Sequence, residues 1–325
     1  MEPALWLGGR LATDLVEISH NLADVRKKGF WAIVGTFENE WTVARFAKVV
    51  DADFFDYETD WIPLNKESWS SSLNQEEYCH YVERIRDHIS SGDVYQVNAC
   101  RILQAPQKAN PNLCGLMRKI LRDNPAPFAA YFKLPGLEIA SASPERFLSV
   151  ANNVAVSSPI KGTSPTDTFL EKDRAENLMI VDLIRNDMSS TARVGSVSTP
   201  RLLATEKHPG LFHLVSDVRS EIADGKDIVN LLSAMMPPGS VSGAPKSSAL
   251  SIIQQNEGKR GPYCGALGWI DGARAEIAVG IRTFWQGNDG ILNFGTGAGI
   301  TWGSDPIQEW EETELKARRL IGLAS

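Results

Sequence analysis

The sequence predicts an α+β fold, an α/β sandwich in which two large and mostly antiparallel sheets pack together with helices on the outside. Strand-like runs outnumber helical ones, most of them are joined by short turns, and long helices interrupt the series. The chain has 325 residues, of which 43% are hydrophobic. That is enough to bury a sizeable core.

Helical periodicity marks six segments. Helices are predicted at about 75–90, 111–123, 169–190 and 227–236, from Pro245 onward, and at about 306–323. Ser91 and Gly92 end the first helix. Pro245 suits a first helical turn, because its missing N–H is not needed there.

Strand-like runs fill most of the remaining chain. They are predicted at about 93–103, 127–134, 137–142, 146–157, 194–206 and 211–222, with two or three more between 263 and 296. Residues 1–70 are the most weakly patterned part. Because no internal repeat or low-complexity linker divides the chain, we predict a single domain over residues 1–325, with its core at about 75–325.

Composition excludes several classes of function. The formal net charge is −7, and no basic run offers the face that a nucleic acid requires. No signal-peptide pattern and no run of about 18 apolar residues occurs, so neither export nor membrane insertion is expected. The four cysteines, Cys79, Cys100, Cys114 and Cys264, form no CxxC pair. This favours reduced thiols and a cytoplasmic protein.

The last predicted helix carries a polar edge beside its buried face. At ~100° per residue, Glu309, Glu312 and Lys316 fall within an arc of roughly 60°. They are either a surface Glu–Lys pair worth ~0.3–0.5 kcal/mol or carboxylates at the edge of a cleft, available to a cation. The neighbouring arc is predicted to be buried and contains Ile307, Trp310, Thr313, Ala317, Leu320 and Ile321.

The helix at about 169–190 has a similar pattern. Asp173, Glu176 and Ile180 share a stripe beside apolar residues, and a carboxylate there is costly unless it is paired or metal-bound. Two glutamates from two helices, completed by waters and a ligand oxygen, are a usual way to hold Mg²⁺. No His or Cys cluster favours zinc.

Two glycine-rich loops are candidates for binding an anion. The loop "PPGSVSGAPKSS" at 237–248 fails the P-loop pattern, because Gly239 and Gly243 are one residue too close. Its N–H groups nevertheless precede a helix, which favours anions. The second loop, "GTGAG" at 295–299, could bind a carboxylate through its N–H groups.

Two single residues allow a structural and a functional interpretation. Arg282, in the strand "AVGIRTF", is either half of a buried ion pair or a bidentate carboxylate clamp. His213 is more often a buried core histidine than a catalyst at such a position. No nucleophile elbow occurs, so serine-hydrolase chemistry is not expected.

The motifs together resemble those of the chorismate-utilising enzymes, which include the anthranilate, aminodeoxychorismate, isochorismate and salicylate synthases. The matching segments run in family order from about residue 75 to the end: "GDVYQVNACR", "SASPERFL", "PIKGT", "DRAENLMIVDLIRND", "HLVS", "PPGSVSGAPK", "YCGALGW", "IRTF", "GTGAGI" and "EETELKA". The resemblance implies an active site in the cleft between the sheet layers. It also implies that the N-terminal portion, about 1–70, is shorter than in the longer family members.

The resemblance also implies roles for single residues. Glu176 and Glu312 would hold Mg²⁺, with Asp173 and Glu309 behind them, and Glu145 of "SPE" would assist loss of the ring hydroxyl. His213 would lie in the pocket as part of the catalytic group. The substrate-binding positions would be Thr163, Ser240, Tyr263, Arg282, Gly297, Ala298, Gly299 and Lys316.

Two positions separate the members of the family. Gln96 stands where the water-using enzymes resemble one another in carrying a lysine base, and a neutral amide cannot deprotonate water. Lys161 stands where anthranilate synthases read "PIAGT" and aminodeoxychorismate synthases read "PIKGT". The resemblance therefore implies an ammonia-using enzyme that forms a covalent lysine adduct.

The implied activity is Mg²⁺-dependent conversion of chorismate and ammonia to 4-amino-4-deoxychorismate, a step toward 4-aminobenzoate and folate. No amidotransferase Cys/His region is visible in the sequence, so a separate glutaminase subunit is expected to supply the ammonia. Anthranilate synthesis and a non-catalytic chorismate-binding homologue are the alternatives.

Overall fold

The computed structural model describes residues 2–54, 60–107, 113–164, 166–208 and 211–325, without the side chains of Thr163, His208 and Leu211. These residues form eighteen β-strands and six α-helices. No helix among them is long and apolar enough to cross a membrane.

The N-terminal part of the chain forms regular antiparallel structure. Its strands are β1 (Ala4–Leu7), β2 (Arg10–Ser19), β3 (Phe30–Gly35) and β4 (Trp41–Asp51). All of β3 is buried, and β2 alternates between more and less exposed positions, as expected of a strand with one covered face. The described residues of this N-terminal portion therefore form more regular structure than their weak sequence pattern suggested.

The middle of the chain follows the predicted order of helices and strands, except that the single strand predicted at about 146–157 is a hairpin of two strands, and a third strand follows it. Its elements are β5 (Ser70–Ser71), α1 (Gln75–Ser90), β6 (Gln96–Pro106), α2 (Leu113–Asp123), β7 (Phe128–Leu134), β8 (Leu137–Ser143), β9 (Arg146–Ala151), β10 (Val154–Ser158), β11 (Ile160–Ser164) and α3 (Glu171–Ser189). The helix α1 begins with a capping box, in which Asn74 Oδ1 accepts from the Glu77 N–H and Glu77 Oε2 accepts from the Asn74 N–H.

The C-terminal part continues the same alternation. Its elements are β12 (Ser198–His208), β13 (Leu211–Glu221), α4 (Ile228–Met235), β14 (Gly243–Ala244), α5 (Lys246–Asn256), β15 (Ala266–Asp271), β16 (Arg274–Val279), β17 (Thr283–Gln286), β18 (Ile291–Ile300) and α6 (Pro306–Ala324). Asp305 caps α6 by accepting from the N–H groups of Ile307 and Gln308. The predicted helices agree with the structure to within a few residues at their ends.

The strands form one continuous antiparallel ladder. Its path runs β12–β13–β10–β9–β16–β15–β3–β4–β2–β1–β7–β8–β17–β18–β6, with β11 added on β13, and β5 and β14 on β6. The predicted α+β class with mostly antiparallel strands is confirmed. The two predicted sheets are instead one hydrogen-bonded network. β4 pairs with both β3 and β2, and β2 pairs with β1, so these strands connect its two halves.

Two hydrophobic clusters lie on opposite faces of this ladder. In β7, Ala130 and Phe132 belong to the larger cluster, which also receives α1, α3, α4 and α5. The intervening Ala129 and Tyr131 belong to the smaller one, beneath α2 and α6. The side chains of β7 alternate between the two clusters because a strand has a two-residue period. The helices α3 and α6 lie over the two halves of the ladder.

Candidate active site

Three predicted residues meet at one carboxylate oxygen. Lys161 Nζ on β11 donates to Glu176 Oε1 on α3 at 2.7 Å, and Gln96 Nε2 on β6 donates to the same oxygen at 2.7 Å. β11 and β6 lie toward opposite ends of the ladder. Both strands contact Glu176, so α3 joins them. This point is the centre of the candidate site.

The local backbone brings these side chains together. The pairing of β11 with β13 shifts register between Ile160 and Thr163, and such irregularities re-aim side chains. Gly162 has φ +85°, and a Cβ there would lie 3.1 Å from the Asp173 Cβ. At Gly299 a Cβ would lie 2.4 Å from Gln96 Nε2 and 2.9 Å from Glu176 Oε1. A side chain at Gly299 would therefore occupy the space that the Gln96–Glu176 contact needs.

The Glu176 carboxylate is held in its charged form. Burial favours the neutral acid, but the Lys161 charge and the hydrogen bonds from Lys161 and Gln96 outweigh it and lower the pKa of Glu176. The side chains of Lys161 and Glu176 are only 12% and 22% exposed. The pair is therefore less screened by solvent than an ordinary surface salt bridge.

Glu145 is a second carboxylate with an unusual environment. Its side chain lies between β8 and β9 and is buried. Burial raises its pKa to about 7, against a hydrogen bond from Ser240 and the nearby charge of Lys161. A carboxyl group that is half protonated near neutrality is suited to donate a proton.

The helix α6 contributes a third group of charges. Lys316 Nζ lies 2.6 Å from Glu312 Oε1 and donates to the Gly297 carbonyl at 3.0 Å. The Lys316 charge also contributes to lowering the pKa of Glu176. Lys316 therefore lies between the carboxylate on α3 and the one on α6.

Glu309 stands one turn before Glu312. Burial raises its pKa, the neighbouring Glu312 charge acts in the same direction, and a hydrogen bond from Ser304 acts against them. A carboxyl group whose charge is disfavoured by burial and by a neighbouring carboxylate is in a setting that a divalent cation relieves. The sequence prediction that Glu309 lies near Glu312 on one face is thus matched by their electrostatic coupling.

The donor atoms fit a hard cation such as Mg²⁺. Carboxylate oxygens come from Glu176 and Glu312, and the buried Gln96 Oε1 has no hydrogen-bond partner in the described part of the chain. Oxygen donors with room for water are the set that Mg²⁺ prefers. Over the described ranges, no group of three or more His, Cys, Asp and Glu side chains is placed to hold a metal, so the predicted Mg²⁺ site stays a prediction.

Arg282 carries a partly buried guanidinium. Among the residues that the structure describes it forms no ion pair, and its predicted contact with a substrate carboxylate stays a prediction. Burial lowers its pKa, and its φ of +53° lies in the left-handed region, which is strained for a non-glycine residue. An uncompensated cation held this way is suited to a carboxylate ligand.

Tyr263 packs directly against the glycine strand. Its ring lies on Gly295, where a Cβ would be 2.0 Å from the ring, and Cys100 Sγ lies 3.9 Å from its hydroxyl. Burial raises the pKa of Tyr263 well above its usual value. Its hydroxyl therefore faces buried thiols, and its predicted contact with a substrate carboxylate stays a prediction.

The glycines of β18 keep one strand edge open. Residues 297–299 pair with β6, whereas β17 pairs with β18 only as far as Phe294. Among the described strands none covers the other edge of Gly297 and Gly299. Ala298 has its side chain on the opposite face, fully buried, so only its backbone is near the site.

The remaining predicted positions have clear places in the fold. His213 is buried on β13 opposite Thr163 of β11, and the predicted contact of the Thr163 side chain lies outside the described residues. Asp173 caps its own helix, because its Oδ2 accepts from the Leu170 N–H at 3.0 Å. Its predicted place behind the metal ligands stays a prediction.

The loop before α5 needs glycine at two positions because neighbouring atoms leave no room for a Cβ. A Cβ at Gly239 would lie 2.8 Å from Leu183 Cδ2, and one at Gly243 would lie 2.3 Å from the Gln96 carbonyl. The Val241 and Ser242 N–H groups donate to carbonyls of the loop itself. These two N–H groups are therefore engaged, and Ser240 contributes to the site by its hydrogen bond to Glu145.

The sequence did not predict a buried ion pair beneath the site. Arg260 donates to Glu257 at 2.7 Å, to the Val241 carbonyl at 3.1 Å and to the Asn98 carbonyl at 2.7 Å. Both side chains are almost completely buried. The three-residue spacing of Glu257 and Arg260 is visible in the sequence. Their burial is not, because it depends on elements that are distant in the chain.

Comparison with known proteins identifies relatives of this chain. Residues 61–322 match a family described as chorismate binding enzyme. The aminodeoxychorismate synthase component 1 of Klebsiella aerogenes is 35% identical over 271 residues, 78% of this chain and 59% of that protein. The anthranilate synthase component 1 of Saccharolobus solfataricus is 37% identical over 267 residues, 78% of this chain and 63% of that protein. The chain thus spans less than two thirds of the length of these curated relatives.

Solved structures share the fold. Anthranilate synthase component I from Streptococcus pneumoniae superposes with a TM-score of 0.82 at 22% identity, over 98% of this chain and 92% of that one. A putative 2,3-dihydroxybenzoate-specific isochorismate synthase from Bacillus anthracis has a TM-score of 0.81 at 20% identity, over 99% and 96%. The shared architecture covers the N-terminal strands as well as the region of the family match.

Proposed function

The chain belongs to the chorismate-binding enzymes, and from that premise we propose that it aminates chorismate with ammonia to give 4-amino-4-deoxychorismate. The observation that carries the proposal is the shared contact of Lys161 and Gln96 with Glu176 Oε1. The Lys161 amine is at the centre of the site. Gln96 occupies the position where a water-using enzyme would need a base, and its neutral amide cannot deprotonate water.

Chorismate is a dianion, and the site offers separate partners for its two carboxylates. Arg282 and the open edge of Gly297 and Gly299 suit the enolpyruvyl carboxylate. The carboxylates on α3 and α6 suit a cation that faces the ring carboxylate. This division lets a protein of net charge −7 bind an anion without a generally basic surface.

The proposed chemistry divides one displacement into two. The neutral Lys161 amine forms a bond to ring carbon 2, both conjugated ring double bonds shift by one position, and the 4-hydroxyl leaves as water with the proton of Glu145. Ammonia then bonds to carbon 4, both double bonds shift back, and the carbon–nitrogen bond to Lys161 breaks. Glu145 is close enough to Lys161 for that charge to act on its pKa, and it can take back a proton in the second half.

The cation is assigned to Mg²⁺, held by Glu176 and Glu312, with Glu309 and Asp173 behind them. When bound, it would neutralise the ring carboxylate of chorismate. Lys316 now pairs with Glu312 and would be free to contact the substrate when the cation takes that carboxylate.

A second subunit is part of the proposal. The curated relatives are named as component 1 of their enzymes, which supports a partner component for this chain. We assign that partner the task of releasing ammonia from glutamine.

The activity is tested with purified protein, Mg²⁺, chorismate and an ammonium salt. The expected product is 4-amino-4-deoxychorismate, with the pyruvyl group retained. Formation of anthranilate and pyruvate would instead make the chain an anthranilate synthase. Binding of chorismate without turnover, also with a glutaminase present, would make it a non-catalytic homologue.

Arg282→Met is expected to weaken chorismate binding by about 10- to 100-fold, because a charge-assisted hydrogen bond is worth roughly 1.5–3 kcal/mol. The same variant should unfold at a higher temperature than the wild type, because it removes a partly buried cation that forms no ion pair with the described residues. Calorimetric titration and thermal unfolding measure the two effects. Unchanged affinity would exclude Arg282 from the substrate site.

Glu312→Gln is expected to weaken Mn²⁺ binding, used in place of Mg²⁺, by at least about 10-fold, because the amide offers a neutral donor where the site has a charged one. Glu311→Gln is the matched control, since Glu311 is an exposed neighbour on the same helix. Paramagnetic resonance of free Mn²⁺ measures the affinity. Equal affinities of the two variants would remove Glu312 from the metal site.

A further inference from the structure

Arg101 is a buried cation on β6 that the proposed chemistry does not use. Its side chain is 2% exposed, and burial lowers its pKa, against the charge of Glu314. Glu314 itself is half exposed. Burying a charge with a half-exposed partner is expensive, so the arrangement calls for a reason beyond stability.

The contacts of Arg101 concentrate on one turn of α6. Its Nε donates to Thr313 Oγ1 at 3.0 Å, its Nη2 pairs with Glu314, and its guanidinium lies 4.0 Å from the centre of the Trp310 ring. The remaining Nη1 donates to Ser71 Oγ on β5 at 3.1 Å. The guanidinium thus links two strands to three residues of one helical turn.

Thr313 is held from a second strand as well. Thr296 lies directly opposite Arg101 in the β18–β6 ladder, and its hydroxyl donates to the Thr313 carbonyl at 2.8 Å. The Thr313 hydroxyl, in turn, donates to the Trp310 carbonyl, and its side chain is fully buried. The helix is therefore fixed in rotation about its own axis at Thr313.

That rotation decides where the acidic face of α6 points. Glu309, Glu312 and Lys316 lie within one turn of Thr313, on a helix with ~3.6 residues per turn and a radius of roughly 5–6 Å including side chains. A rotation of about 20° would move a carboxylate oxygen by roughly 2 Å. Mg²⁺ requires oxygen ligands at about 2.0–2.1 Å in near-octahedral geometry, so such a rotation would spoil the site.

We propose that Arg101 is a positioning residue that sets the rotation of α6 and thereby aims Glu312 and Glu309 at the carboxylate of Glu176. The inference rests on the proposed Mg²⁺ site. Arg101 is not one of the proposed metal-binding or substrate-binding residues. It acts through Thr313, Trp310 and Glu314.

The test compares Mn²⁺ affinity and thermal stability in Arg101→Gln, Arg101→Lys and Thr313→Val. The matched control is Arg45→Gln, because Arg45 also pairs with a glutamate, Glu17, at 3.2 Å and lies over a tryptophan ring, Trp31, but belongs to β4. Mn²⁺ is titrated by paramagnetic resonance with and without chorismate, using metal-free protein.

Arg101→Gln is expected to weaken Mn²⁺ binding at least 10-fold, Thr313→Val in the same direction, and Arg101→Lys by less. Arg45→Gln is expected to lower the unfolding temperature while leaving Mn²⁺ affinity within twofold. If Arg101→Gln fails to fold, the Thr313→Val and Arg101→Lys variants decide the question.

Three results overturn two different statements. Normal Mn²⁺ binding by the wild type together with unchanged affinity in the Arg101 and Thr313 variants would overturn the positioning role alone. Equal losses in Arg45→Gln and Arg101→Gln would do the same, because they would reflect general destabilisation. A wild-type protein that binds no Mn²⁺ under either condition would overturn the metal site, and the inference with it.

Discussion

Lys161→Ala is expected to lower the rate of aminodeoxychorismate formation by at least about 100-fold, while chorismate still binds. The physical reason is that the variant lacks the nucleophile of the covalent route, whereas Arg282 and the glycine strand remain in place. Rates are measured over a range of ammonium concentrations, and chorismate affinity is measured by calorimetry. Wild-type rates across that range would exclude the covalent route.

Lys161→Arg separates charge from nucleophilicity. The guanidinium can keep the ion pair with Glu176 but stays protonated in proteins and supplies no neutral amine. We therefore expect it to be as inactive as Lys161→Ala. A chorismate-derived mass on the peptide that contains Lys161, trapped from the wild type and missing in both variants, would identify the adduct.

Glu145→Gln is expected to lower the rate by about 10²- to 10⁴-fold, the range for loss of a general acid. In the wild type the acid must be protonated, so the ratio of the wild-type rate to the Glu145→Gln rate, at a constant concentration of free ammonia, should fall as pH rises through about 7, the pKa of Glu145. The ratio isolates Glu145, because both proteins need the same neutral Lys161 amine. A ratio that stays constant from about pH 6 to about pH 8 would contradict the role.

The same change should stabilise the protein at high pH. Burial raises the pKa of Glu145 from 4.5 to about 7, so the folded state binds its proton more tightly than the unfolded chain does. This favours folding below about pH 4.5 and is lost as pH rises to about 7. Above that, replacing the carboxylate with an amide should raise the free energy of unfolding by on the order of 3 kcal/mol.

Urea unfolding at pH 5 and at pH 8 tests this stabilisation. The gain of Glu145→Gln over the wild type should be larger at pH 8, where the buried wild-type group must ionise. Ser240→Ala is the useful comparison, because it removes the hydrogen bond that stabilises the Glu145 carboxylate and should destabilise the protein most at pH 8. If Glu145→Gln were no more stable than the wild type at pH 8, ionising Glu145 in the folded protein would carry no free-energy cost.

Much of the fold was predictable because it depends on local sequence. The Asn74–Glu77 capping box and the Asp305 cap ahead of Pro306 are signals within a few residues. The wheel of α6 correctly placed Thr313, Ala317 and Leu320 inside. It was wrong for Ile307, which is 48% exposed, because the first turn of the helix extends beyond the strands that cover the rest.

The parts that could not be predicted depend on distant contacts. Glu176 and Glu312 were identified as candidates, and the family resemblance is confirmed, but no pattern showed that Lys161 and Gln96 share one oxygen of Glu176. That contact needs β11 and β6 to meet at α3. Arg101 was unremarkable in sequence, since its role depends on Thr313, 212 residues later.

The long reach of these contacts has a consequence for the synthesis of the chain. Gln96 leaves the ribosome long before Glu176, and Arg101 must wait for Thr313 on α6, so the proposed site cannot assemble before α6 has been synthesised. Contacts of such sequence separation slow folding and leave partly folded intermediates with exposed apolar surface. A nascent chain stalled before residue 306 should therefore lack the proposed metal site, which can form only once α6 has left the ribosome.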